Sequence, residues 1–127
     1  TGVQTCALPI SDCADAWSPK VLRAGMGAHF LIPIIERIDI EQTLLAFQGE
    51  VAITALDNAT SLYHSSLLGN LVFVLGNEGA GISAASARHA SKRLFIPMQQ
   101  GLESLNVSAA AAICLYERVR QALSPPA

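Results

Sequence analysis

The chain has 127 residues, 51% of them hydrophobic and 14% charged, with a formal net charge of −2 at neutral pH. That length supports one domain with a real core, and the apolar content excludes a disordered or strongly solvated chain. Without a basic surplus, a strong autonomous grip on nucleic acid is not expected.

The composition suits a buried α/β sheet and a subunit that hides one face in a partner. No apolar run approaches the roughly 20 residues that span a bilayer, and no charged-then-apolar leader opens the chain. Cys6, Cys13 and Cys114 are odd in number and lack paired metal spacing, so reduced thiols in the cytoplasm, no metal and no membrane are expected. Lys20 and Arg23, and Arg88, Lys92 and Arg93, form two basic groups, read here as solvated surface.

Taken in order, residues 1–11 show no period and no capping logic. TGVQTCALPI resembles an in-frame translation of a sequencing-library adapter, so the segment is expected to be non-native, with a short strand at 6–10 as the alternative. The domain is expected over 12–123, with 124–127 as a tail. Ser18-Pro19 starts a helix that runs to about Gly27. HFLIPI at 29–34 reads as a strand, with Pro33 at an edge or at the strand end. Asp39 caps a second helix through about Phe47, and Gly49 ends it.

VAITAL at 51–56 is a further strand, and 57–70 reads as polar and irregular. His64 lies there, and a lone His in a polar loop is usually solvent-facing. Residues 71–75, LVFVL, are a continuous apolar run that predicts a central strand buried on both faces. Ser83 caps a short helix over 84–90, residues 94–96 form a short buried strand stopped by Pro97, and a long helix runs from 105 or 106 to 122. Its first half, Ser108 to Ala112, is built of small side chains that permit close helix packing. The alternation predicts an α/β fold with a mostly parallel sheet.

Ligands of open α/β sheets sit beyond the carboxyl ends of the strands. There the chain places Gly76-Asn77-Glu78-Gly79. Its glycines do not fit Gly-x-Gly-x-x-Gly, no Lys-Ser/Thr pair follows, and Glu78 would repel phosphate, so a nucleotide phosphate site is not expected. A carboxylate and an amide beside bare backbone suit a neutral or cationic ligand. Ser104-Leu-Asn-Val-Ser108 sits at a helix start, where Ser104 or Asn106 either caps the helix or meets a substrate. No serine-hydrolase elbow is present.

Leu75-Gly-Asn-Glu-Gly-Ala-Gly81, Ile96-Pro-Met98 and Glu103-Ser-Leu-Asn-Val-Ser-Ala109, followed by Arg118-Val-Arg-Gln121, resemble the second and third motifs of the SpoU/TrmH RNA ribose 2′-O-methyltransferases of the SPOUT superfamily. Ser18-Pro-Lys-Val-Leu-Arg-Ala24 with Gly27-Ala28 is similar to a helix near the start of that domain. The resemblance covers about residues 12–121.

It implies helices on both faces of the sheet and a C-terminal deep trefoil knot, an exception to the rule that chains are unknotted. It implies S-adenosylmethionine as cofactor, held by Leu75, Gly76, Asn77 and Gly79, by Ile96 and Met98, and by Leu105. It implies Glu78, Ser104 and Asn106 as catalytic residues, transfer RNA or ribosomal RNA as substrate, and a homodimer through the knot helices. The family's first motif, Asn-x-Gly-x-x-x-Arg, carries an arginine thought to activate the 2′-hydroxyl, and it is absent from this sequence. The expectation is an N-terminally truncated methyltransferase domain that lacks its first strand and does not turn over by itself. The alternatives are a non-catalytic S-adenosylmethionine- or RNA-binding remnant and an unrelated α/β nucleotide-binding module.

Overall fold

Four helices begin where a short polar side chain takes up a backbone N–H that the first turn leaves without a partner. Ser18 accepts from Val21 at the start of α1 (Pro19–Gly25), Asp39 from Gln42 at α2 (Ile40–Ala46), Ser83 from Ser86 at α3 (Ala84–His89) and Asn106 from Ser108 at α4 (Val107–Leu123). The computed structural model describes residues 6–9, 15–76, 82–102 and 105–124.

Among these, four strands form one sheet: β1 (Glu50–Thr54), β2 (Thr60–Ser61), β3 (Leu71–Val74) and β4 (Lys92–Phe95). Their order is β2-β4-β1-β3, and every pairing is parallel. The most buried strand is β1, with Val51, Ala52 and Ile53 all closed to solvent. The run 71–74, expected at the centre, is instead the edge strand and half-buried throughout. An unbroken apolar run marks a strand with two partly covered faces, but it does not say how many neighbours the strand has.

Three further expectations are corrected. HFLIPI is not a strand: Met26 and Gly27 both take positive φ, and Ala28–Phe30 closes a 3₁₀ turn. Only Ile34 pairs, in a single parallel bridge to Ala7, whose N–H donates to Pro33 O and whose carbonyl accepts from Ile35. Pro33 lacks a donor and contributes only its carbonyl, in keeping with the edge role expected of it. The segment 57–70 is not wholly irregular either, since it contains β2 and a 3₁₀ turn at Leu62–His64. Gly49 does not cap α2, which ends at Ala46. It lies instead where a Cβ would come within 2.5 Å of Asn70 O, beside the Glu50 N–H that donates to that same oxygen.

Successive side chains of a strand point to opposite faces. On one face Ala52 of β1 and Leu94 of β4 join Leu62, Leu67 and Cys114 in a buried cluster, with Leu71, Phe73, Ile96 and Ile113 packed around it. Cys114 comes from α4, so α4 covers this face, and burial pushes its thiol up to about 11. Val51 and Ile53 point the other way, where α3 lies against β1 and packs on α2. Helices therefore flank both faces of a parallel sheet, as the resemblance implied. The implied knot runs through loops that include 77–81 and 103–104, outside the described residues.

Because β4 is inserted between β1 and β2, the chain leaving β2 must cross to the far edge to form β3. Residues 62–70 make that crossing alongside α4, mostly exposed but anchored by Leu62 and Leu67, both 0% exposed. Leu67→Ala is therefore expected to cost about 3 kcal/mol, from lost burial plus the cavity it leaves, read by urea denaturation.

Glu117 of α4 is only 5% exposed, and its carboxylate is gripped by Arg120 through two hydrogen bonds of 2.9 and 2.7 Å. The bonds from Arg120 hold the carboxyl below its ordinary value, burial opposes them, and Gln121 adds to the lowering. A carboxyl depressed in the fold stabilises it above its unfolded pKa and loses that effect as pH falls. The stability gap between the natural chain and Glu117→Gln is thus expected to hold from pH 7 down and to shrink below about pH 4.3, measured by denaturant titration across that range.

Candidate functional site

The register of the sheet brings the sequence's first two site segments to one end. Ile53 pairs with Val74 on one side and with Arg93 on the other. Leu75 and Leu94 therefore stand level with Thr54, Gly76 follows Leu75, and Ile96 and Met98 follow on from β4. The two segments flank β1, so they are separated by two strand spacings, roughly 10 Å. Leu75, Gly76, Ile96 and Met98 are all half-buried.

The third segment arrives from α4. Arg118 Nη2 donates to Gly69 O at 2.9 Å, which ties the last turns of α4 to the chain just before β3. From Arg118 back to Val107 the helix climbs about 16 Å, against roughly 20 Å for extended chain from Gly69 to Leu75. The helix thus runs antiparallel to the strands and carries Leu105 and Asn106 towards their carboxyl ends. Both residues are exposed. Asn106 is the helix cap, its Oδ1 accepting from Ser108 N at 2.8 Å, which settles which of the two candidate polar residues does the capping among those described. Asn77, Glu78, Gly79 and Ser104 lie outside the described residues.

What gathers here is a rim of aliphatic and thioether side chains at the end of a parallel sheet, with a helix start beside it. Such a rim can hold a planar heterocycle between apolar walls while backbone groups at the strand ends read its edges. A second hollow, of about 270 Å³, lies along the outer edge of β4, beside the start of β2. Asn58, Thr60, Ser65, Ser91, Lys92 and Arg93 line it, with Leu94 its one apolar wall, a lining too polar for a heterocycle. No group of three His, Cys, Asp or Glu side chains is placed to hold a metal among the described residues, and none of their helices is long and apolar enough to cross a membrane. His64 is exposed, as its loop position predicts.

The basic groups are largely spoken for. Arg88 pairs with Glu41 at 3.1 Å, Lys92 with Glu50 at 3.1 Å, and Arg93 donates through Nε and Nη2 to Asp57 O. Sequence reasoning missed one polar cluster, formed by Glu117, Arg118, Arg120 and Gln121 of α4 around residues 65–69. Its sequence signal is the i, i+4 spacing of Glu117 and Gln121 on a face that also carries buried Cys114.

Comparison with known proteins agrees with this geometry. The family model for the SpoU rRNA Methylase family matches residues 1–116. The 23S rRNA (guanosine-2′-O-)-methyltransferase RlmB of Pasteurella multocida is 35% identical over 124 residues, 94% of this chain and 51% of that protein. The 23S rRNA (guanosine(2553)-2′-O)-methyltransferase RlmP of Bacillus subtilis is 37% identical over 105 residues, 81% of this chain and 42% of that one. The solved structure of an AdoMet-bound rRNA methyltransferase from Sinorhizobium meliloti superposes with a TM-score of 0.85 at 28% identity, covering 94% of this chain and 47% of that one. The chain thus spans about half the length of the curated relatives it matches, and by the family match it belongs to the SpoU rRNA Methylase family.

Proposed function

We propose that the chain is the cofactor-binding part of a domain that transfers a methyl group from S-adenosylmethionine to a ribose 2′-hydroxyl of ribosomal RNA. The observation that carries this reading is the convergence of Leu75-Gly76, Ile96-Met98 and Leu105-Asn106 at one end of a parallel sheet. Two relatives named for guanosine 2′-O-methylation of 23S rRNA favour ribosomal over transfer RNA. In this reading the protein is cytoplasmic, and a trefoil knot closes around the three segments.

The residues fit the cofactor by chemistry. Leu75, Ile96, Met98 and Leu105 offer apolar walls to an adenine, and Gly76 allows the backbone to approach it. Bound there, S-adenosylmethionine supplies an electrophilic methyl on a sulfonium. Glu78, Asn77 and Gly79 complete the first loop, with Glu78 a carboxylate suited to a cationic ligand. Ser104 and Asn106 flank the reacting ribose, and the Ser108 N–H holds the Asn106 side chain in one orientation. The 2′-hydroxyl is a weak nucleophile and has to give up its proton. The family's first-motif arginine, which would assist, has no counterpart among the 127 residues. The chain therefore binds cofactor without transferring methyl.

A homodimer through α4 belongs to the same reading. Ala109, Ala112, Tyr116 and Leu123 recur at helical spacing on the face turned from the core, with Tyr116 73% and Leu123 77% exposed.

Calorimetry with S-adenosylmethionine is expected to show saturable binding, and no heat would overturn the proposal. Leu105→Ala, at an exposed position, is expected to leave stability unchanged and to raise the dissociation constant about tenfold, the equivalent of ~1.4 kcal/mol. A tritiated-methyl assay on unmodified 23S rRNA, with transfer RNA as the control, is expected to give no product with this chain. Product is expected once a segment carrying Asn-x-Gly-x-x-x-Arg is joined upstream. Sedimentation is expected to show a dimer that Tyr116→Lys converts to monomer.

A further inference from the structure

The chain that crosses the sheet between β2 and β3 has no regular partner strand, yet side chains take up four of its backbone groups in a span of five residues. Gln121 Nε2 donates to Ser65 O at 2.9 Å, and Gln121 Oε1 accepts from Leu67 N at 2.8 Å. Lys92 Nζ donates to Ser66 O, and Arg118 Nη2 donates to Gly69 O at 2.9 Å. Gln121 acts here as a strand edge would, giving one donor and one acceptor to a single stretch of backbone. Its own orientation is fixed by Nε2 also donating to Glu117 Oε1 at 3.2 Å, while Arg120 holds that carboxylate from the other side.

This matters because of what lies at the two ends of the clamped pieces. The crossing segment leads into β3, whose far end is Leu75-Gly76. The clamping helix begins at Leu105-Asn106. Among the regular elements, α4 lies most closely against the Leu62–His64 turn of the same crossing. Its lengthwise placement is therefore set by where it grips 65–69, about three turns from the helix start. One turn of slip would move the start of α4 by about 5.4 Å, enough to part the first and third site segments.

We propose that Gln121 is a positioning residue for cofactor binding: by clamping Ser65 O and Leu67 N it fixes the axial seat of α4, and with it the distance between Leu105-Asn106 and Gly76. The inference rests on the cofactor reading above and adds a residue that touches neither cofactor nor RNA in it. The charged groups around the clamp are Glu117, Arg118 and Arg120 on α4, Lys92 on β4 with its partner Glu50 on β1, and exposed His64 on the turn.

The test is S-adenosylmethionine calorimetry on the full chain and three variants, at a temperature where circular dichroism shows each folded. Gln121→Met keeps length and removes both bonds. It is expected to raise the dissociation constant about tenfold. Arg88→Ala cuts the α2–α3 ion pair on the opposite face and is expected to leave affinity unchanged. Gln121→Glu keeps the acceptor for Leu67 N and sets a carboxylate against Glu117. Facing carboxylates raise one pKa, so this variant is expected to bind weakly at pH 7.5 and to recover as pH falls towards about 5 and a carboxyl proton again reaches Ser65 O.

Binding by the natural chain with equal affinity in Gln121→Met, or a pH-flat deficit in Gln121→Glu, overturns the positioning role. Should Gln121→Met fail to fold, the pH profile of Gln121→Glu decides alone. Absence of binding by the natural chain falls on the cofactor reading instead.

Discussion

The structure depends on a single crossing of the sheet. A parallel sheet in the order β2-β4-β1-β3 obliges the chain to travel from one edge to the other before β4 exists in the sequence. That journey runs beneath α4, and it is stable there because Leu62 and Leu67 enter the same cluster as Ala52, Leu94 and Cys114. Backbone groups that no ladder pairs need partners from side chains or water. Gln121, Lys92 and Arg118 supply them. Apolar burial and polar satisfaction thus act on the same few residues, and neither alone would hold them.

That arrangement also explains the use of the cations. In a chain with a net charge of −2, most of the basic side chains with described geometry are committed to ion pairs or backbone oxygens of the chain itself. Arg120 neutralises Glu117, Lys92 and Arg118 hold backbone oxygens, Arg93 reaches Asp57 O, and Arg88 joins α3 to α2. The second basic group, Arg88, Lys92 and Arg93, is therefore more than solvated surface, while Lys20 and Arg23 are exposed as expected. In the proposed function, a nucleic-acid partner would be held less by a field of positive charge than by the fit of one ribose at the sheet end.

Local chemistry was legible from the residues: Ser18, Asp39 and Ser83 are short polar groups in front of helical runs, and each caps one. The carboxyl-end position of Gly76 was legible too, since an apolar run followed by turn residues is a strand and then a loop. The long-range order was not. Nothing in LVFVL distinguishes an edge strand with covered faces from a central one. Thr60-Ser61 is too short and polar to show a strand period, and it becomes one only because Leu94 and Phe95 arrive beside it. HFLIPI has strand composition, but Met26 and Gly27 turn the chain into a 3₁₀ path first. Gln121 looked like part of a helix end, because its partners, Ser65 and Leu67, are more than fifty residues earlier.

The place of β4 has a bearing on how the molecule is made. Among the described strands, β2 has β4 as its sole neighbour, and β4 is the last of the four to be synthesised. A nascent chain that has emerged only as far as β3 can pair β1 with β3, but it carries β2 with an open edge and Leu62 and Leu67 without their cover. Such non-local topologies fold slowly and expose apolar surface while they wait. Protection by a chaperone, or speed in delivering β4 and α4, should therefore govern the yield of this fold in the cell more than the depth of its native minimum does.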